Sequence, residues 1–445
     1  MAENLIDIIK ESGIVGAGGA GFPTHVKVNA EVEYVLVNGA ECEPLIRVDQ
    51  QLMAVKTKEV LTALKKVVEA TGAKKGIVAL KGKYKTAIAA LEKEIANDDK
   101  LEIFGMDNFY PAGDEQALVY EVLKRIVPEG GIPLNVGAMV INVETLYNIY
   151  HALEGKPVTH TYVTITGEVK NPITVKLPIG ITVRETIELA GGSNISDFAV
   201  IDGGPLMGKV VPLDKPITKT TKALIVLPKD HSHILSKEKD INSMLKVAKT
   251  ACMHCSLCTE VCPRYLIGHQ LRPDRLIRMA SYNSTCDNNA LATEAFLCCE
   301  CTLCEYACVM DLQPWKLHIA LKKELGALGI KNPHNNVPEK AHPFREYRKF
   351  PVPKLIARLG LTKYDVDAPL IDQDFNSFDT VRIPLHQHIG APAKAIVAVG
   401  DNVHMGQIIG DIEENKLGAK IHASISGRVA AIEDGTITIK KTNPM

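Results

Sequence analysis

Cys252-Met-His-Cys-Ser-Leu-Cys-Thr-Glu-Val-Cys262 and Cys298-Cys-Glu-Cys-Thr-Leu-Cys-Glu-Tyr-Ala-Cys308 decide what the central part of this chain can be. Each run spaces four cysteines three, three and four apart: Cys252, Cys255, Cys258 and Cys262, then Cys298, Cys301, Cys304 and Cys308, every one 46 residues after its counterpart. Bacterial ferredoxins hold two 4Fe–4S clusters with such runs, the fourth cysteine of each ligating the other run's cluster. The two runs are therefore expected to fold back on each other as one helical unit, 240–330, that moves single electrons. Zinc also takes four thiolates, but usually from two separated Cys-x-x-Cys pairs around one tetrahedral ion, so four cysteines in eleven residues, given twice, suit clusters better. Disulfides fail on context, since nothing indicates secretion. Cys299 breaks the spacing and is expected beside a cluster rather than on it. Cys42 and Cys286 read as buried, inert thiols.

The rest of the chain is that of an ordinary globular protein. With 445 residues it is too long for one core, and three or four domains are expected. Apolar residues make up 46%, charged residues 23%, and the formal charge is −1, which leaves no basic surplus for nucleic acid. No apolar run approaches the ~20 residues needed to cross a bilayer, so no direct membrane insertion is expected. The first residues are acidic and amphipathic, unlike a basic-then-apolar signal peptide, and a cytoplasmic, reducing location follows as the expectation. Leu5, Ile8 and Ile9 read equally well as a core-facing stripe or as an encapsulation helix for a bacterial microcompartment.

The pattern along the chain predicts a multidomain α/β and α+β protein. In residues 1–155, buried-strand runs at Tyr34–Val37, Ile77–Leu80 and Ala138–Ile141 alternate with helical periodicity over Lys58–Ala70, Lys85–Ile95, Glu115–Ile126 and Glu144–Leu153. Such alternation gives an α/β layer structure on a largely parallel sheet. Residues 156–230 turn β-rich with Gly and Pro turns and one short helix, Val183–Ala190, a small α+β module. Between 331 and 372 the prolines at 333, 338, 343, 351 and 353 break any regular pattern, which reads as a linker draped over the surface. Residues 373–445 are short strands punctuated by glycine, an all-β module. His386 and His388 open it and read as structural.

The segment Gly16-Ala-Gly-Gly-Ala-Gly21 satisfies G-x-G-x-x-G, but the Rossmann version needs a strand before it and a helix opening from it. Here Leu5–Lys10 is helical in pattern and Phe22-Pro23-Thr24 follows, so that fingerprint is rejected. Four glycines still let a backbone approach a phosphate and aim amides at it, with Lys27 as a nearby point charge. A merely flexible loop is the plain alternative.

The run GAGGAGFPTHVK, followed by VNGAECEP at 37–44, YPAGDEQAL at 110–118 and INVETL at 141–146, resembles the FMN-binding subunit of respiratory complex I. The chain is still more similar to the C subunit of the Rnf complex and to the cobalamin (corrin) reductases of propanediol utilisation. Those families join a flavin domain to a soluble-ligand-binding β-grasp module, a two-cluster ferredoxin domain and a barrel-sandwich hybrid. In the Rnf protein the barrel-sandwich module is N-terminal. Here the matching stretch is C-terminal, as in the cobalamin-reductase type. The resemblance implies that Gly16, Gly18, Gly19 and Gly21 wrap the flavin phosphate with Lys27 and Thr145 nearby, and that Asn38 and Asn142 hydrogen-bond the flavin. It implies that Glu41 and Glu43 face the nicotinamide nucleotide, with Asp114 and Glu115 as a second acidic pair. Paired carboxylates accept ribose hydroxyls and repel a 2′-phosphate, favouring NADH over NADPH. Phe22 and Tyr110 are the only counterparts of the aromatics that sandwich adenine. Lys420 follows Ala419, not the Asp or Met that precedes a lipoyl or biotinyl lysine, so the last module reads as a docking element.

The resemblance thus implies an NADH-oxidising oxidoreductase with FMN and two 4Fe–4S clusters, passing electrons to a corrinoid or an acceptor protein within a hetero-complex or homo-oligomer. A non-catalytic relay or docking adaptor, and an Rnf-type respiratory component, are the alternatives.

Overall fold

The computed structural model describes residues 2–282, 288–373, 375 and 378–442; Cys286 lies outside the described residues. Four segments near the N-terminus form one parallel sheet in the spatial order Leu101–Met106, Lys75–Lys81, Tyr34–Gly39, Ala138–Asn142. The last three are buried almost throughout, as strands covered by helices on both faces must be. Helices Thr57–Ala70, Lys85–Ile95 and Val143–Leu153 form where the 3.6-residue periodicity puts them. The helix expected over Glu115–Ile126 ends at Leu123, because Lys124 takes a left-handed φ of 56° and its N–H closes back on Tyr120.

Strand order carries a consequence for function. The chain lays Lys75–Lys81 and Leu101–Met106 on one side of Tyr34–Gly39, then returns to place Ala138–Asn142 on the other. Crevices for ligands open outside the carboxyl ends of strands at such a reversal. Asn38 and Asn142 stand there in register as neighbours. The N-terminal helix Ala2–Glu11 turns Leu5 and Ile9 into this core, Ile9 fully buried and Ile8 partly so. Each such burial is worth about 1.5–3 kcal/mol, so the apolar stripe is used inside the molecule.

A six-stranded mixed sheet follows, in the order Leu370–Ile371, Ile173–Pro178, His160–Gly167, Ala223–Pro228, Phe198–Asp202, Lys209–Val211. Its helix Val183–Leu189 starts at a capping box in which Thr182 and Glu185 satisfy each other's backbone amides. Short helices, among them Ile241–Ala251, Pro273–Tyr282 and Pro314–Ala327, build the cysteine-bearing unit. The C-terminal module is two small sheets of four and three strands, antiparallel throughout.

The stretch expected as a surface linker carries structure of its own. Phe350–Pro351 pairs antiparallel with Phe109–Tyr110, Leu370–Ile371 extends the six-stranded sheet, and Val352, Leu355, Ile356, Leu359 and Leu361 are buried. Pro353 does not break the helix Val352–Arg358 because it sits in its first turn, where an N–H would lack a partner anyway.

Candidate functional site

The glycine loop is a hairpin, not a strand-to-helix turn. Val15 and Pro23 bridge antiparallel, and Gly16 N–H donates to Phe22 O at 2.9 Å. At its tip Ala17 N–H donates to Thr145 Oγ1 at 3.0 Å, and any side chain on Gly18 would run into the Asn142 amide, 2.5 Å from an ideal Cβ. Gly19 faces open space. Asn142 caps the helix Val143–Leu153 by accepting from Glu144 and Thr145 N–H, while its Nδ2 donates to the buried Asp49 at 2.7 Å. The loop therefore lies against an eleven-residue helix N-terminus, a ready anion site, with its open glycine edge outward. Lys27 Nζ donates to Glu115 Oε1 at 2.7 Å and to Val140 O at 3.0 Å. Asn38 Nδ2 donates to Gly113 O at 2.8 Å. A glycine hairpin in which Gly18 and Gly21 have no room for a side chain, two strand-end amides and a lysine are a donor set that suits a flavin phosphate and its ribityl chain. The C-terminal module closes over the far end of the loop: Gly21 (φ +76°) leaves no space for a Cβ against His388, and Ile389 N–H donates to Gly21 O at 3.3 Å. His388 accepts from Ala419 N–H at 3.0 Å, a structural role. Lys420 pairs with Glu11.

The acids behave differently from one another. Glu41, at a left-handed φ of 39°, turns inward: Oε1 accepts from Asp49 N–H and Oε2 from Gln50 Nε2, both at 2.7 Å, at the start of the helix Val48–Val55. Glu43 is capped from the neighbouring module, accepting Leu206 N–H at 2.8 Å and Met207 N–H at 2.9 Å, with Tyr110 OH at 3.3 Å. Burial pushes both carboxyls above their ordinary range, and Asp49 up to about 7. In this conformation the pair expected to face a nucleotide makes internal contacts, Glu41 with residues eight and nine places on and Glu43 with residues 163 and 164 places on. Tyr110 is likewise no stacking surface, being 1% exposed with its hydroxyl donating to Cys301 O at 2.9 Å. Asp114 caps the helix Glu115–Leu123 and holds the buried Arg264 at 2.8 Å. Glu115, half exposed beside Lys27, is the acid of the group left at the surface. Cys42, in the loop after Tyr34–Gly39, packs beside Gly113, and burial pushes its thiol up to about 12.

The cysteines divide between two cavities. Cys252, Cys255, Cys258 and Cys308 ring one; Cys298, Cys301, Cys304 and Cys262 ring the other. Each cavity thus takes three cysteines from one run and the fourth from the other. Cys299 lines the second cavity too. Left-handed residues recur at matched places, His254 and Ser256 in the first run and Glu300 and Thr302 in the second, and such backbone bends gather N–H groups around an anion. Burial pushes the Cys258 and Cys262 thiols up to about 12 and Cys304 further, so thiolates form there only with strong positive charge between them. Iron in a cluster would supply it, so the residues fit the group.

The two rings of cysteines differ in burial. In the second, Cys262, Cys301 and Cys304 are buried, and this ring is fastened to the flavin-type domain by Tyr110–Cys301 and Asp114–Arg264. In the first, Cys255 is exposed, and Met253, Val309 and Met310 of the same lining lie at the surface. Sequence reasoning passed over Arg264 and the hydroxyl of Tyr110. A charged residue directly after Cys-Pro, inside a cluster motif, was the available signal.

This arrangement defines a flavin and iron–sulfur electron-transfer architecture, and comparison with known proteins agrees. The chain matches the models of the Nuo51 FMN-binding domain over residues 9–151, the SLBB domain over 162–210, the 4Fe-4S dicluster domain over 251–313 and the RnfC barrel sandwich hybrid domain over 369–444. It is 43% identical over 443 residues, 98% of this chain and 96% of the relative, to the cobalamin reductase PduS of Citrobacter freundii, and equally to that of Salmonella typhimurium. The chain belongs to the PduS cobalamin reductase family. The C subunit of the Na(+)-translocating ferredoxin:NAD(+) oxidoreductase complex of Acetobacterium woodii is 35% identical over 272 residues, 60% of this chain and 59% of that one. An NAD+-reducing [NiFe]-hydrogenase chain shares the fold, with a TM-score of 0.50 and 21% identity over 76% of this chain and 64% of that one. The barrel-sandwich match lies at the C-terminus, as domain order implied. Among the described residues no helix is long and apolar enough to cross a membrane.

Proposed function

We propose that the chain oxidises NADH and delivers the electrons singly, through two 4Fe–4S clusters in a fixed order, to a corrinoid or a corrinoid-bearing partner. Bound FMN and the clusters supply the conversion of a hydride pair into single electrons. The protein's part is placement. Gly16, Gly18, Gly19 and Gly21 hold the flavin phosphate at the capped helix end beside Thr145, with Lys27 as counter-charge and Asn38 and Asn142 on the flavin's polar edge. Glu115 meets the nucleotide ribose from the open side. Glu41 and Glu43 act from beneath, by fixing the helix Val48–Val55 and the Leu206–Met207 backbone. Cys298, Cys301, Cys304 and Cys262 ligate the inner cluster; Cys252, Cys255, Cys258 and Cys308 ligate the outer one. The acceptor is met at the outer rim of Met253, Val309 and Met310.

The observation that carries this reading is the unequal burial of the two cysteine rings: Cys262, Cys301 and Cys304 are buried in the ring tied to the flavin-type domain, whereas Cys255 is exposed in the other. Two variants test it in anaerobically prepared protein pulsed with NADH. Cys255→Ala should bleach flavin and reduce the inner cluster at the normal rate while delivery to cob(II)alamin stops. Cys301→Ala should bleach flavin and leave the outer cluster oxidised. Outer-cluster reduction at the normal rate in Cys301→Ala would sink the order of transfer. A chain that binds no flavin and ignores NADH would sink the function itself.

A further inference from the structure

We propose that His318 donates a hydrogen bond to a sulfur of the inner cluster and so sets that cluster's reduction potential apart from the outer one's; this rests on the cluster assignment above. His318 lies on the helix Pro314–Ala327 and is 1% exposed, lining the cavity ringed by Cys262, Cys298, Cys301 and Cys304. Neither ring nitrogen has a hydrogen-bond partner among the described residues. The N–H groups beside it at the same helix start are used: Trp315 Nε1 donates to Glu305 at 2.6 Å, and Gln313 Nε2 donates to Ser236. Buried polar groups are hydrogen-bonded as a rule, so an imidazole left with two idle nitrogens on a cavity wall calls for a partner inside the cavity.

The chemistry of that partner is constrained. A neutral imidazole carries one N–H and one lone pair. An iron–sulfur cluster with thiolate ligands presents acceptors and no donors, and the N–H is the group it can use. A donor to sulfur stabilises the more negative, reduced cluster and raises its potential. Among the described residues the outer cavity has no buried equivalent: the imidazole in its lining, His254, is exposed, Asp274 brings a carboxylate, and the residue 46 positions before His318 is Arg272, outside that lining. The effect therefore falls on one cluster only.

Two variants and one spectroscopic measurement decide it. In the full-length, iron-loaded protein, His318→Phe keeps the volume and removes the N–H, whereas His318→Gln keeps a donor. Redox titration followed by electron paramagnetic resonance should show the inner midpoint potential shifted down in His318→Phe, largely restored in His318→Gln, and the outer potential unmoved in both. In wild-type protein carrying 15N-histidine, the reduced inner cluster should show hyperfine coupling to a histidine nitrogen. An unmoved inner potential in His318→Phe with full iron overturns the proposal. Absence of the 15N coupling overturns it even where the phenylalanine variant fails to load iron. Wild-type protein holding fewer than two clusters of four irons, eight in all, overturns the cluster assignment instead.

Discussion

Replacing Asp114 by alanine tests how the flavin-type domain is fastened to the cluster domain. Asp114 Oδ1 accepts from Ala117 N–H at 3.1 Å as the cap of Glu115–Leu123, and Oδ2 accepts from Arg264 Nη2 at 2.8 Å. The two side chains are 14% and 11% exposed, and Arg264 Nη1 has no other partner among the described residues. Losing an N-cap costs about 1 kcal/mol. Leaving the partner's buried charge unpaired costs about 3–5 kcal/mol, so Asp114→Ala loses about 4–6 kcal/mol in all. Arg264→Met removes the cation but leaves the cap, and the carboxylate stays favourably placed at a helix N-terminus, so that variant loses only about 1–3 kcal/mol. Once the charge is gone the alanine costs little more than the cap. The double variant should therefore fall about 3–5 kcal/mol short of the sum of the singles. Anaerobic urea unfolding, followed by cluster absorbance and by flavin fluorescence, measures the four corners of the cycle. In parallel, an NADH pulse should show flavin bleaching preserved in Asp114→Ala and inner-cluster reduction slowed. Additive losses within about 0.5 kcal/mol, the range expected of independent sites, would refute a pairing across this interface.

Gly204→Ala should loosen Glu43, since a Cβ there would sit 2.2 Å from Glu43 Oε2 and force the 204–207 backbone away. A loss of about 1–3 kcal/mol is expected from the stranded carboxylate, visible as a lower unfolding midpoint with the flavin still bound; an unchanged midpoint would show that the contact contributes nothing. Acid should destabilise the protein steeply. His233 and His422 are buried and held neutral, each lowered to about 3, so below pH 6.5 the unfolded chain binds protons that the native one refuses. The unfolded state then holds more protons, stability falls as pH drops from 6.5 towards 3, and each histidine contributes about 1.4 kcal/mol per pH unit within that window. Replacing His422 by Gln should flatten the urea-midpoint profile between pH 6 and 4; an identical slope would contradict the assignment.

The parallel sheet was legible because buried strands are continuous apolar runs and amphipathic helices keep their period, and both signals are local. Tyr34–Gly39 and Lys85–Ile95 fall where the pattern puts them. The stretch 331–372 was not legible, because prolines at helix starts and in an edge strand look the same in sequence as prolines in a loop. The direction in which Glu43 and Asp114 turn was not legible for a deeper reason. Glu43 is answered by Leu206 and Met207, and Asp114 by Arg264, residues 163, 164 and 150 positions away. No window of sequence holds both partners, so a motif identifies the carboxylate without saying which way it turns.

The cysteine runs make the same point from the opposite side. Their spacing is identical, and the left-handed residues at 254 and 256 return at 300 and 302, so the two loops are one structure used twice. Identical loops give no direction to an electron. Direction comes from the flanks. Met253 and His254 stand exposed beside Cys255, whereas Cys299 and Glu300, at the matching places, are half-buried beside the buried Cys301. After the fourth cysteines, Val309 and Met310 face solvent while Pro263 and Arg264 are buried, Arg264 against Asp114. The duplicated runs thus give two equal loops, and the unequal residues around them leave one against the flavin-type domain and the other facing solvent.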